Sequence, residues 1–187
     1  MKFVKIFSLF FLFTCLANAA ERQPIVLTES SVGSFEIFKG KKISLYKIWQ
    51  AFPYYRVEQR IGEGDSPDFH MFTVKTYEGE AVVSFISYIT EKPMYEAALV
   101  PLDEVILHGN GAVDQYGVSP GDSFASAVAK RTDMDYGYGH MDNYSGKGKI
   151  WYLFFATTEE GMRATQEQAL KLNPKIEVIT WPVPRWR

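Results

Sequence analysis

The order of patterned segments predicts a single α+β domain, built on a mainly antiparallel sheet with about three helices. Three observations carry this. Short strand-like runs follow one another through tight turns between residues 55 and 108, and strands joined so closely run antiparallel. Two longer runs, 81–89 and 149–156, are apolar on both faces and belong in the middle of a sheet. Three segments, 42–52, the stretch after Gly121 and 162–172, carry helical spacing or helix-favouring composition.

The first residues stand outside this domain. Lys2 and Lys5 give a positive start, residues 6–16 are apolar but too few to span a bilayer, and Ala17-Asn18-Ala19 is a small-x-small cleavage site. Residues 1–19 are predicted to be a secretory signal peptide and 20–187 a single secreted domain. The expected address is therefore the periplasm or the exterior, with no transmembrane segment after cleavage. The alternative is a lipid anchor through Cys15, but Phe13-Thr14 precede it where a lipobox carries a small residue.

Cys15 is the one cysteine in the sequence. Without it the domain has no disulfide, although the compartment would allow one, so its core alone must hold it together. The chain has 20 basic and 22 acidic residues, and it becomes more acidic once Lys2 and Lys5 leave with the leader. That balance argues against nucleic acid and against an anionic membrane surface as partners.

In chain order, residues 21–28 read as a lead-in. Phe35 and Ile37 alternate with Glu36 in a short strand between Gly33 and Gly40. Leu45, Ile48, Trp49 and Phe52 fall at i, i+3, i+4 and i+7, predicting one buried face on a helix over 42–52 that Pro53 stops. Tyr54 and Tyr55 are expected to close the core beneath it. Tyr55, Val57 and Ile61 share one face of the next strand, and Arg56, Glu58 and Arg60 the other, wet one. Strands follow at 69–77, 81–89 and 105–108, separated by Glu78-Gly79, Lys92-Pro93 and a turn at 109–111.

Tyr116 to Lys130 reads as a Gly-Pro-Gly turn opening into a helix. Asp122 is the expected N-cap, and Phe124, Ala127 and Val128 form the buried stripe. A tyrosine- and glycine-rich segment covers 136–144. The apolar strand at 149–156 comes next, then Glu159-Glu160 as the entry to a helix over 162–172 that Asn173-Pro174 ends. A last strand at 176–181 stops at Pro182.

Several of these stretches resemble one family. Leu27-Thr28-Glu29 with Val32-Gly33, the helix ending Ala51-Phe52-Pro53, Tyr116-Gly117-Val118 with Gly121-Asp122-Ser123-Phe124, the aromatic strand from Ile150 to Phe155, and Ile176 to Trp181 before Pro182 are similar to the small envelope lipoproteins of Gram-negative bacteria under sigma-E control, a domain of unknown function. The resemblance implies a fold and an envelope address, with no activity or catalytic residues to carry over. This chain departs from the family pattern in three ways. It lacks a lipobox, it has no cysteine pair in 132–149, and Lys41-Lys42 stand where Thr-Pro is usual.

No residue pattern points to catalysis. There is no Gly-x-Ser-x-Gly elbow, and the glycines at 109–111 and 146–148 are too few and wrongly spaced for a phosphate loop. His140 with Asp133, Asp135 and Asp142 is the one local group that resembles cation ligands. Its spacing matches no known site type and reads as a solvated polar loop, so no metal or cofactor is expected.

The remaining candidate is Tyr136, Tyr138, His140 and Tyr144. Tyrosines on a glycine-rich backbone suit a partner-binding loop. The same residues fall on one alternating face, which favours a strand with its rings packed on the sheet. The expected function is a non-catalytic envelope protein that binds a protein or an envelope component, in envelope stress or as an inhibitor or immunity protein against a cell-wall hydrolase. The alternative is an envelope hydrolase whose site is built from dispersed acids and His140.

Overall fold

The computed structural model describes residues 23–63, 67–109, 111–138 and 143–182. The chain begins with four short strands, β1 (Ile25–Leu27), β2 (Ser31–Val32), β3 (Phe35–Glu36) and β4 (Lys42–Ile43), and helix α1 (Leu45–Ala51). Three long strands follow, β5 (Arg56–Gly62), β6 (Phe69–Lys75) and β7 (Ala81–Tyr88), then a 3-10 turn at Lys92–Glu96. Next come β8 (Val100–Pro101), β9 (Glu104–Leu107), β10 (Ala112–Asp114) and α2 (Phe124–Lys130). The chain closes with β11 (Asp135–Tyr138), β12 (Asn143–Lys147), β13 (Ile150–Phe154), α3 (Gln166–Leu172) and β14 (Val178–Trp181). The α+β class holds, with three α-helices among the described residues.

The principal sheet has eight strands in the order β11-β12-β13-β14-β9-β7-β6-β5, every pair antiparallel. Its register sets two unlike faces, because side chains directly opposite one another share a face. The inner row runs Val57, Val74, Val83, Leu107, Ile179, Tyr152, Ser145 and Tyr136 across all eight strands. This face meets the rest of the core. Phe35 and Phe52 set their rings against Phe85, and Phe124 of α2 stacks on Phe154 at 4.4 Å. The outer row runs Glu58, Thr73, Ser84, Ile106, Thr180, Trp151, Gly146 and Asp135. As expected from their doubly apolar sequence, β7 and β13 are covered on both faces.

A small sheet, β10-β1-β2-β3, lies beside the principal one, and β4 pairs with β8. Ile25–Leu27 of the lead-in are thus part of the fold. β1 lies parallel to β10, the only parallel pair among the described strands. Asp114, at the end of β10, is buried and ties the two sheets together. Its carboxylate accepts the Tyr116 and Val118 amides, both at 2.9 Å, and the hydroxyl of Tyr152 on β13. Burial and the Asp114 carboxylate push the Tyr152 hydroxyl far above the usual tyrosine range. Arg131 is buried next to this group, with its guanidinium over the Tyr116 ring and Nη1 donating to the Ile150 carbonyl.

Three local expectations are corrected. α2 is capped by Ser123, whose Oγ accepts the Ser126 amide, and not by Asp122. Asp122 faces backwards, accepting the Ser119 amide and the Lys130 ammonium. Helix α3 begins after Thr165, whose capping box with Gln168 outcompetes the acidic pair Glu159-Glu160 upstream. Tyr54 is exposed, because α1 ends one turn before it; Tyr55 is half-buried and edges the Phe52 ring. No helix among the described residues is long and apolar enough to cross a membrane.

Candidate functional site

The periodicity of α1 predicts one buried stripe, and the fold splits it. Ser44 caps the helix by accepting the Lys47 amide, and Ile48 and Phe52 enter the core. Leu45 and Trp49, at the same helical spacing, turn to solvent instead. Trp49 is 53% exposed and its neighbour Tyr46 62%. The two rings lie 6.0 Å apart, and Gln50 donates to the Tyr46 hydroxyl at 2.8 Å, which steadies that ring against the helix.

These side chains form one wall of a groove of about 650 Å³. Its other wall is Ala97 to Leu99, and Val57 lies in its lining. Two contacts pin the second wall to the sheet. His70, buried on β6, has Nε2 2.6 Å from the Met94 carbonyl; a carbonyl only accepts, so Nε2 carries the proton and donates. The Tyr95 hydroxyl donates to Asp68, and that bond raises the Tyr95 pKa. The groove thus has an aromatic wall on a capped helix and an aliphatic wall on a fastened loop. Its volume falls in the range of ligand and anchor-residue pockets.

Of the tyrosines singled out by sequence pattern, Tyr136 and Tyr144 lie on opposite faces. β11 and β12 form a hairpin whose register sets Tyr136 opposite Ser145 and Gly137 opposite Tyr144. Even positions therefore face odd ones, and the shared face expected for Tyr136 and Tyr144 is lost. Tyr136 points inward, packs near Phe124 and Phe154, donates its hydroxyl to the Ala164 carbonyl at 2.7 Å and accepts from Asn143. Tyr144 lies on the outer face, edge-on to Trp151 at 5.7 Å. Tyr138 ends β11 opposite Asn143, and His140 lies outside the described residues. Of the acids grouped with His140, Asp133 sits near Arg131 and Lys147, and Asp142 lies outside the described residues.

Sequence reasoning missed the groove because it treated every apolar position of α1 as core. A signal was present. Tyr46 lies off the predicted stripe, so its ring has no buried place on that helix.

Comparison with solved structures places the fold. It is similar to that of yfeY, an uncharacterized protein from Escherichia coli, with a TM-score of 0.56 over 83% of this chain and 98% of that one. At 15% identity the likeness to yfeY concerns the fold alone. No family model matches the chain, and no curated protein does.

Proposed function

We propose that this chain is a non-catalytic protein of the cell envelope that binds a partner protein through the groove between α1 and residues 97–99. The observation that carries the reading is the exposure of Tyr46 and Trp49 on a helix whose opposite side is core. Exposed apolar surface of this kind costs solubility and marks interaction sites. Tyrosine and tryptophan are also the residues that most often anchor protein interfaces. The exposed rings extend past the groove to Tyr54, which fits a protein surface better than a small ligand.

The envelope address rests on the leader-like residues 1–19. The motif resemblance to sigma-E-controlled lipoproteins supports a role in envelope stress. An inhibitor or immunity protein against a cell-wall hydrolase is the sharper form of the same reading.

The double variant Tyr46→Ala/Trp49→Ala tests it. Both rings are more than half exposed, so the variant should melt within about 0.5 kcal/mol of wild type. A protein captured from envelope extract by wild type should be lost from the variant. A variant that retains every captured protein overturns the proposal, as does a groove that takes up only acyl chains.

A further inference from the structure

A second pocket opens on the outer face of the sheet, across β5, β6 and β7, with a volume of about 440 Å³. It is built differently from the α1 groove. The register sets Thr73 opposite Ser84, and their hydroxyl oxygens lie 3.0 Å apart. His108, just past β9, brings Nε2 to 2.8 Å from the Ser84 Oγ. Ser84 and Thr73 are both buried. Burial, and then the nearby Arg60 charge, hold the His108 pKa below its usual value, so the imidazole is neutral at neutral pH.

Three groups linked in this way have one donor left over, whichever tautomer His108 adopts. If Nε2 carries the proton it donates to Ser84, Ser84 donates to Thr73, and the Thr73 hydroxyl is free to donate. If Nε2 accepts, the chain reverses and Nδ1–H is the spare donor. Ser84 lies mid-strand and is paired on both sides, so the relay suits holding a ligand better than attacking one.

The charges lining the pocket do not cancel. Lys75 is bound to Glu58 in an ion pair. Arg60 has no carboxylate partner among the described residues; its guanidinium rests on the Met71 sulfur at 3.9 Å. Two cations and one carboxylate leave one positive charge, and it sits on the side chain whose planar fork matches a carboxylate.

We propose that this pocket binds a small organic monoanion through its carboxylate, with Arg60 as the bidentate partner and the Thr73–Ser84–His108 chain supplying a further donor. A dianionic phosphate would leave excess negative charge beside Glu58, and a neutral amide would leave Arg60 unmatched.

The test uses the full chain and three probes, N-acetylglycine, its amide and inorganic phosphate, followed through the His108 ring resonances by NMR and by calorimetry. N-acetylglycine should shift the His108 signals saturably and bind at least about tenfold more tightly than the amide. Arg60→Gln should lose about that factor, and Arg60→Lys, which keeps the charge without the fork, should recover part of it. Arg60 is exposed on an edge strand, so both variants are expected to fold, and the amide probe makes the same comparison on wild type should they not. The proposal is overturned by a His108 signal that no carboxylate moves, by amide binding as tight as the acid, by Arg60→Gln binding like wild type, or by phosphate binding more tightly than the carboxylate.

Discussion

At the scale of single residues, Ser123 and Asp122 show how two good capping residues divide their work. Ser123 has extended backbone geometry and its Oγ accepts the Ser126 amide, so it satisfies a first-turn donor of α2. Asp122 closes the preceding turn through Ser119 and pairs with Lys130, which together hold its pKa below the usual value despite the cost of its desolvation. Ser123→Ala should therefore destabilise the protein by about 1 kcal/mol, read as a lower urea midpoint. A midpoint equal to wild type would show that the amide finds water without penalty. Both residue types favour helix starts, so sequence alone could not choose between them. In the fold the Ser119 amide and Lys130 engage the Asp122 carboxylate, and the Ser123 hydroxyl takes the first-turn amide.

At the scale of elements, β13 is the best test of the two-faced sheet. Tyr152 and Phe154 point into the shared core, while Trp151 points to the outer face and is still only 1% exposed. No helix covers it. The Tyr144 ring stands edge-on to it, and its indole nitrogen donates to the Gly148 carbonyl at 3.0 Å. Gly146, directly opposite, leaves the space the indole fills: a Cβ there would lie 2.9 Å from the Trp151 ring. Trp151→Ala should cost about 3–5 kcal/mol, because a large ring leaves a cavity that a paired strand cannot close. Melting like wild type would mean that the outer face contributes little and is free to serve as a surface. The strand itself was legible as an uninterrupted apolar run. What covers each face was not, since the inner cover comes from Phe124 on α2 and the outer depends on the register between β12 and β13.

At the scale of the whole molecule, the buried Asp114–Tyr152 contact joins the small sheet to the large one. Tyr152→Phe keeps the ring and removes only the donor, leaving a buried carboxylate oxygen short of a partner. The expected loss is about 1–3 kcal/mol in a urea melt. An unchanged midpoint would mean that packing alone joins the sheets.

The sequence by itself determined the class, the central strands and the approximate places of the helices, because period, apolar run length and turn residues act within a few positions of one another. It also carried the leader-like residues 1–19 and the absence of a cysteine beyond Cys15. Only the tertiary structure decided the rest. The parallel β1–β10 pair joins two strands of three residues each, too short to show a period. The β11–β12 register separated Tyr136 from Tyr144, and a one-position change in pairing reverses every side chain. Half of the α1 stripe turns to solvent, and residues 97–99 stand across from it to make a groove. The Thr73–Ser84–His108 chain exists because β6, β7 and β9 are neighbours in the sheet. Each of these depends on which strand lies beside which. That is settled by the burial of the whole core and not by any local run of residues.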